Sequence, residues 1–428
     1  MMLLLLGLVA FLLLFLSVPM VVVLIVTFFV GIFFFIPIFD FSAMVQQILT
    51  GITPAALICV PMFILAANII TSGDASRKLI NMVRAYLGHI YGGLPIVTNV
   101  ACALFGTVSG STQATVAAIG GTMRPMLLQA GYSSPFTLGL IINSSDIAYL
   151  IPPSIGFIVY GAATQTSIGR LFLAGIFPGV LIMILFSIYC YFYSKINNVG
   201  RYPKASWEER KKATKEGIPI IGFPIIILGG IYGGIFSPTE ASAAAVLYAL
   251  LLEVLVYRSL TVKSFTNDLL STALVTSVVF ILVGAGQALA WLFSYIGVSK
   301  IVLLPILGEE PSVLKLIITV NIAYFIACMF VSPIVAIYVL SPIFAPFVIQ
   351  TGIDKVFLGV LVVMQGAIGS ATPPFGCDIF TAMMIFKRPY LEVIRLTWPF
   401  ILILLFAVAI VVIFPELTLF IPNLAFGG

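Results

Sequence analysis

From Met1 to Phe39 the chain carries no charged side chain; the first is Asp40. Water offers such a stretch no stable surface position, whereas about 20 consecutive apolar residues in a helix match the hydrocarbon thickness of a bilayer. Further apolar segments recur near 52–71, 91–119, 136–163, 171–194, 217–236, 239–257, 270–297, 313–331, 333–350, 356–385 and 395–420. Lipid gives backbone amides no partners, so each run must satisfy itself as helix. The runs are continuous rather than alternating, which excludes a transmembrane barrel. The expected fold is an all-α integral membrane protein with about 10–12 transmembrane helices plus shorter re-entrant pieces.

Composition agrees. Only 8% of residues are Asp, Glu, Lys or Arg, against about 25% in a soluble domain. Met1–Phe39 lacks the basic n-region and short h-region of a secretory signal, so it reads as retained membrane segments broken at Pro19. One His and five scattered Cys (Cys59, Cys102, Cys190, Cys328, Cys377) give neither a spaced zinc cluster nor a disulfide framework. No GxxxxGK[ST] run is present, so ATP hydrolysis by a P-loop is excluded. The net charge of +5 reads as cytoplasmic anchoring rather than nucleic-acid binding.

Charge is concentrated. Lys195 to Glu216 holds Lys195, Arg201, Lys204, Arg210, Lys211, Lys212 and Lys215, with Glu208, Glu209 and Glu216. This reads as a cytoplasmic linker between two halves, with Arg77, Lys78 and Arg84, and Lys387, Arg388 and Arg395, as smaller basic loops. The halves resemble each other. Ser111, Pro125, Gly131 and Pro152-Pro153 are each followed 221 residues later by Ser332, Pro346, Gly352 and Pro373-Pro374. Internal repeats in a membrane protein mark secondary transporters, with the site at the repeat interface.

The repeated motifs carry the chemistry. Two consecutive prolines remove two N–H donors and disfavour helix before them, so helices must break at both Pro-Pro pairs. Broken backbone at membrane depth is tolerated only where it is buried in protein or lines a cavity. Carbonyl oxygens freed there, with nearby hydroxyls, suit a hard monovalent cation such as Na+. A half-helix starting after Pro153 points its positive end at the cavity and favours a carboxylate. Before the first break run Ser109-Gly110-Ser111 and Asn143-Ser144-Ser145-Asp146; around the second run Cys328–Ser332 and Gly366–Gly376, with Ser370 and Thr372. Asp146 is the intramembrane acid expected to be functional, and Asp378 follows the second break. Glu240 reads as structural, with Ser237 capping a helix that begins at Pro238. His89, in a Gly-rich turn, reads as interfacial. Thr98, Asn99, Asn143, Ser144, Ser145, Asp146, Ser154 and Ser332 are the candidate substrate-facing residues. Thr98 and Asn99 serve equally well as interhelical hydrogen bonds. Ser111 and Gly366 belong with the candidate ion-binding oxygens.

At these motifs the sequence resembles the large membrane subunit of the TRAP (tripartite ATP-independent periplasmic) transporters. The likeness rests on Val108-Ser-Gly-Ser111 with Ala117-Ala-Ile-Gly120, Gly131-Tyr132, Ile151-Pro-Pro-Ser154, Leu171-Phe-Leu-Ala-Gly175 with Pro178-Gly179, Pro238-Thr-Glu-Ala241 and Thr372-Pro-Pro-Phe-Gly376, and covers nearly the whole chain. The resemblance implies two inverted repeats, each with a re-entrant helical hairpin, in an elevator-type ion-transporter fold. It implies Na+-coupled uptake of an organic acid, of the sialic acid or C4-dicarboxylate class, delivered by a periplasmic binding protein. A small four-helix membrane subunit completes the unit and is expected as a separate chain. Carried over, a first Na+ site uses oxygens around Gly106, Ser109, Ala148, Ile151 and Pro153, and a second those around Ala327, Gly369 and Thr372. Ser144-Ser145-Asp146 and Cys377-Asp378 depart from the family's usual glycines and neutral residues. Expected segments are scaffold helices over 1–90, a first transport region over 91–194, the linker 195–216, second scaffold helices over 217–310 and a second transport region over 311–428.

Three rival readings remain. A carrier of Na+ and dicarboxylate that needs no binding protein shares the same composition. A membrane-embedded enzyme needs an acid/base pair or a positioned nucleophile, and none is visible. A passive channel fits paired helix breaks less well than a mobile site does.

Overall fold

A computed structural model describes residues 2–16, 18–36, 41–199 and 203–427. Arg201 of the basic cluster, and Met1, Ser17 and 37–39 of the first apolar stretch, lie outside the described residues. Among the described residues every regular element is helical. The charge-free N-terminal stretch forms α1 (Met2–Phe15) and α2 (Met20–Phe35), with Pro19 at the N-cap of α2, where a fixed φ and a missing N–H cost nothing. Then come α3 (Phe41–Ile52), α4 (Cys59–Ser72) and α5 (Ala75–Leu87).

The first repeated unit follows as α6 (Gly93–Ser109), α7 (Thr112–Gln129), α8 (Ser134–Ser145), a 3-10 turn (Asp146–Tyr149) and α9 (Ile155–Thr164). Long α10 (Ile168–Ile196) closes the first half. The second half opens with α11 (Trp207–Tyr232), α12 (Pro238–Leu251), α13 (Val262–Ile296) and α14 (Leu304–Leu307). The second unit is α15 (Val313–Phe330), α16 (Pro333–Thr351), α17 (Lys355–Ser370) and α18 (Cys377–Phe386), followed by α19 (Tyr390–Ile394), α20 (Trp398–Ile413) and α21 (Glu416–Phe426). The 221-residue offset therefore governs elements and not only landmarks: α6, α7, α8 and α9 map onto α15, α16, α17 and α18 to within a residue or two at most ends. Gly131 and Gly352, which take positive φ just after α7 and α16, keep the same register.

Among the described residues seven helices are long and apolar enough to cross a membrane, and the bent pair α20–α21 makes an eighth if it is one span. The difference from the expected 10–12 lies in six shorter apolar helices of 10–17 residues, of which α6, α9, α17 and α18 end or begin beside the breaks. The 195–216 segment also differs from expectation. Only 197–206 separates α10 from α11, and Arg210 to Lys215 are helical. The reason is a capping box: Ser206 accepts from the Glu209 amide while the Glu209 side chain accepts from the Ser206 amide.

The segments 1–90 and 217–310, expected as scaffold, pack on each other, α4 against α12 and α13, and α5 against α11. The 35-residue α13 packs against α2, α3, α4 and α16. Small residues permit this closeness: a β-carbon at Gly51 would stand 2.6 Å from Gln287 Cβ, and one at Gly284 would stand 2.9 Å from Ile48. Both α10 and α20 pack on α17 beside the repeated units.

Candidate substrate and ion site

In the first unit α6 stops because Gly110 takes φ +57°, a conformation that favours glycine. Ser111 then caps α7, accepting from the Ala114 amide. The two helices form a hairpin whose tip sits on the proline break. The Ile155 amide donates to the Gly110 carbonyl at 3.2 Å. A β-carbon at Gly110 would stand 2.2 Å from the Pro153 carbonyl oxygen. One turn back, Gly106 abuts Ala148, whose Cα would lie 2.5 Å from an added β-carbon. Gly106, Ser109, Ser111, Ala148, Ile151 and Pro153, expected together, thus lie at one hairpin tip and one break.

The second unit repeats this. Helix α17 ends at Ser370, the chain turns through Pro373-Pro374, and the Gly376 amide donates to the Thr372 carbonyl at 3.2 Å. Gly369, the positional equivalent of Ala148, presses on Cys328 of α15, whose backbone carbonyl carbon would lie 2.9 Å from an added β-carbon. Gly366 meets Pro333 at the start of α16. The Ala327 carbonyl, one residue earlier on α15, accepts the Val331 amide at 2.9 Å as that helix ends. Each hairpin tip therefore meets its own break through one glycine, carried by the hairpin (Gly106) in the first unit and by the broken helix (Gly369) in the second.

Side chains join the two units. Thr112, the first residue of α7, donates to Asp378 Oδ1 at 2.7 Å, and Ser370 donates to Asp378 Oδ2 at 2.6 Å. Gln113 Nε2 reaches Cys377 Sγ at 3.1 Å. Tyr149 lies between Gly156 of its own unit and Gly366 of the other. Sequence reading missed Gln113 and Tyr149, and it found Thr112 only as one of a run of hydroxyls, without its partner. Their partners are more than 200 residues away, and the one available signal was the paired glycines that make room for the Tyr149 ring.

The candidate substrate residues divide by their hydrogen bonds. Asn143 Oδ1, Ser144 Oγ, both Asp146 carboxylate oxygens and Ser332 Oγ are buried without a protein partner. Ser145 and Ser154 are already used. Ser145 donates to Ile141 and Ser154 to the Tyr149 carbonyl, and Ser154 also caps α9. Of the two equal readings of Thr98 and Asn99, the interhelical hydrogen bond describes Asn99, whose Oδ1 stays buried without a partner. Thr98 bonds back to Leu94 in its own helix, and Asn99 Nδ2 crosses to the Met183 carbonyl and Ser187 Oγ on α10. Asn99 thus holds α6 to α10, because an amide inside an apolar helix is cheapest when it finds a partner on the next helix. Glu240 completes a capping box with Ser237, the structural role expected of it.

A family model for the tripartite ATP-independent periplasmic transporter, DctM component, matches residues 7–417. The chain is a TRAP transporter large permease. Similar relatives include the ectoine TRAP transporter large permease protein TeaC of Halomonas elongata, 55% identical and covering 90% of each chain. The ectoine/5-hydroxyectoine large permease UehC of Ruegeria pomeroyi is 54% identical, covering 97% of each. Permeases named for C4-dicarboxylate in Pseudomonas aeruginosa and for sialic acid in Vibrio cholerae stand lower, at 35% and 33%, with 86% of each chain and 89% and 90% covered respectively. The YdaH transporter of Alcanivorax borkumensis matches with a TM-score of 0.62 at 16% identity, covering 88% of this chain and 89% of that one, a likeness of fold. This TRAP permease is a multi-pass protein of the bacterial inner membrane and a transport subunit, not an enzyme. Its family works with a small membrane subunit and a periplasmic binding protein.

Proposed function

We propose that this permease is the Na+-coupled membrane component for uptake of an ectoine-type solute, a cyclic amidine carboxylic acid that is zwitterionic at neutral pH. The observation that carries the substrate is the gap between relatives above 50% identity named for ectoine and those near one third named for C4-dicarboxylate or sialic acid. The solute class thus moves from the expected sialic acid or C4-dicarboxylate to a small zwitterion. The substrate carboxylate is received at the N-termini of α9 and α18, which begin just after the two breaks, and of α7 and α16, which begin at the hairpin tips; each presents a positive dipole end.

Coupling follows from the donor set. Backbone oxygens around Gly106, Ala148, Ile151 and Pro153, and around Ala327, Gly366, Gly369 and Thr372, with the Ser109 and Ser111 hydroxyls, form oxygen-only shells of the kind hard cations prefer. Gly110 and Gly369 leave no space for a β-carbon, which keeps each tip on its break. A Na+ entering down 100 mV releases about 2.3 kcal/mol before any concentration gradient, enough to concentrate a solute without net charge. The two repeated units move together against α13 and its neighbours, as an elevator.

The test is uptake of labelled ectoine by proteoliposomes containing the permease, its small subunit and the binding protein. Na+-dependent accumulation of ectoine is expected, with C4-dicarboxylates and sialic acid taken up poorly. Equal uptake after replacement of Na+ by K+ sinks the coupling, and preferred uptake of succinate sinks the substrate.

A further inference from the structure

Asp146 sits immediately after α8, wholly buried, with neither carboxylate oxygen hydrogen-bonded. An ionisable group kept in membrane interior without a partner marks a functional position, because leaving it unpaired opposes folding. A second acid lies close by in the fold: the turn that carries Asp146 packs against α7 and α17, which supply the two hydroxyls that hold Asp378. Asp378 is also wholly buried. It is anchored by Thr112 and Ser370, one bond to each oxygen, which leaves about two of its lone-pair positions free. Tyr149, on the same turn as Asp146, adds a third polar group: its hydroxyl is buried and unpartnered. The two acids come from different units, Asp146 from the first break and Asp378 from the second. The position equivalent to Asp146 in the second unit is Ala367, so the pair is not a product of the repeat.

We propose that Asp146 and Asp378 together receive the cationic amidinium end of the substrate and set its specificity. An amidinium is planar and presents N–H groups on two sides, the geometry that carboxylates accept as charge-assisted hydrogen bonds. The orphaned oxygens of Asp146 are then paired only when solute is bound. A dianionic acid in the same place meets two like charges and is rejected, which is discrimination by repulsion as well as attraction. The proposal rests on the reading of the solute as an ectoine-type zwitterion.

Two measurements on the assembled permease complex separate them. In proteoliposomes, Asp146→Asn is expected to raise the KM for ectoine on the order of 30-fold, the loss of one charge-assisted bond. The Na+ concentration for half-maximal uptake stays where it was, and Asp146→Glu recovers part of the affinity. An unchanged ectoine KM overturns the proposal, as does a shift confined to Na+ half-saturation, which makes Asp146 an ion ligand. In detergent, acetamidinium chloride is expected to raise the melting temperature of the wild type above tetramethylammonium chloride at equal ionic strength, with the difference lost in Asp146→Asn. Failure of Asp146→Asn to fold counts against the proposal. If the wild type takes up no ectoine, the solute reading fails alone and the acetamidinium arm decides: protection that needs Asp146 upholds the acid pair, and no protection of the wild type overturns it.

Discussion

Gly110 turns the first hairpin with φ +57° and faces the Pro153 carbonyl with no room for a β-carbon. The two constraints are independent. A side chain costs about 1–2 kcal/mol for the left-handed backbone alone, and contact with a backbone carbonyl has no flexible end to give way. Gly131 supplies the control, with φ +93° and open space around it. Gly110→Ala is expected to lower Na+-driven uptake by roughly tenfold or more, the range for displacing a positioned group by about an ångström. Gly131→Ala should cost stability while uptake per folded molecule stays normal. Near-normal uptake by the Gly110 variant would mean that the seating of the tip does not matter. These glycines and the Pro-Pro pairs were legible in the sequence because their effect is local: proline removes donors and glycine opens φ wherever they stand. The partners of Asp378 were not legible. Thr112 sits 266 residues away, and no local rule brings a hydroxyl at the start of one helix to a carboxylate at the start of another.

Helix ends show the same division. Ser206–Glu209 and Ser237–Glu240 are capping boxes written within four residues. The second was expected from the sequence; the first was hidden in a run of charge that reads as solvated loop. Helix α5 is capped differently. Its Asp74 makes no side-chain cap. Instead buried Glu253, from the far end of the α12 span, accepts from the Asp74 amide at 3.2 Å and the Ala75 amide at 3.0 Å, and is held by Ser259. Gly73 makes room for it, since a β-carbon there would overlap the carboxylate. This bond ties the two scaffold segments together across 179 residues of sequence. Glu253→Ala is expected to destabilise the protein by roughly 1–3 kcal/mol, the cost of stranding buried donors, seen as a lower melting temperature in detergent. Glu253→Gln, which keeps one acceptor, should fall between. An unchanged melt in both variants would show the cap to be replaceable by water.

At the scale of the whole molecule the question is what slides. The second unit touches the proposed scaffold chiefly where α16 lies along α13, while α6 of the first unit packs on α4, α5 and α11; between α16 and α13, Gly286 and Tyr338 approach so closely that a β-carbon on the glycine would lie 3.2 Å from Tyr338 Cβ. Disulfides form across β-carbon separations of about 3.5–4.5 Å, so a small adjustment admits a bond at this pair. The five native cysteines, four of them buried, are first replaced by Ala or Ser to give a silent background. In that background, Gly286→Cys with Tyr338→Cys is expected to cross-link on mild oxidation and to stop ectoine uptake, with reductant restoring it. Each single variant should transport before and after oxidation. The proposed elevator motion requires arrest, because α16 cannot travel along α13 while bonded to it. A cross-linked protein that still transports at the wild-type rate would show that α16 stays fixed on α13, and the moving body would then have to be sought among α6 to α9 alone.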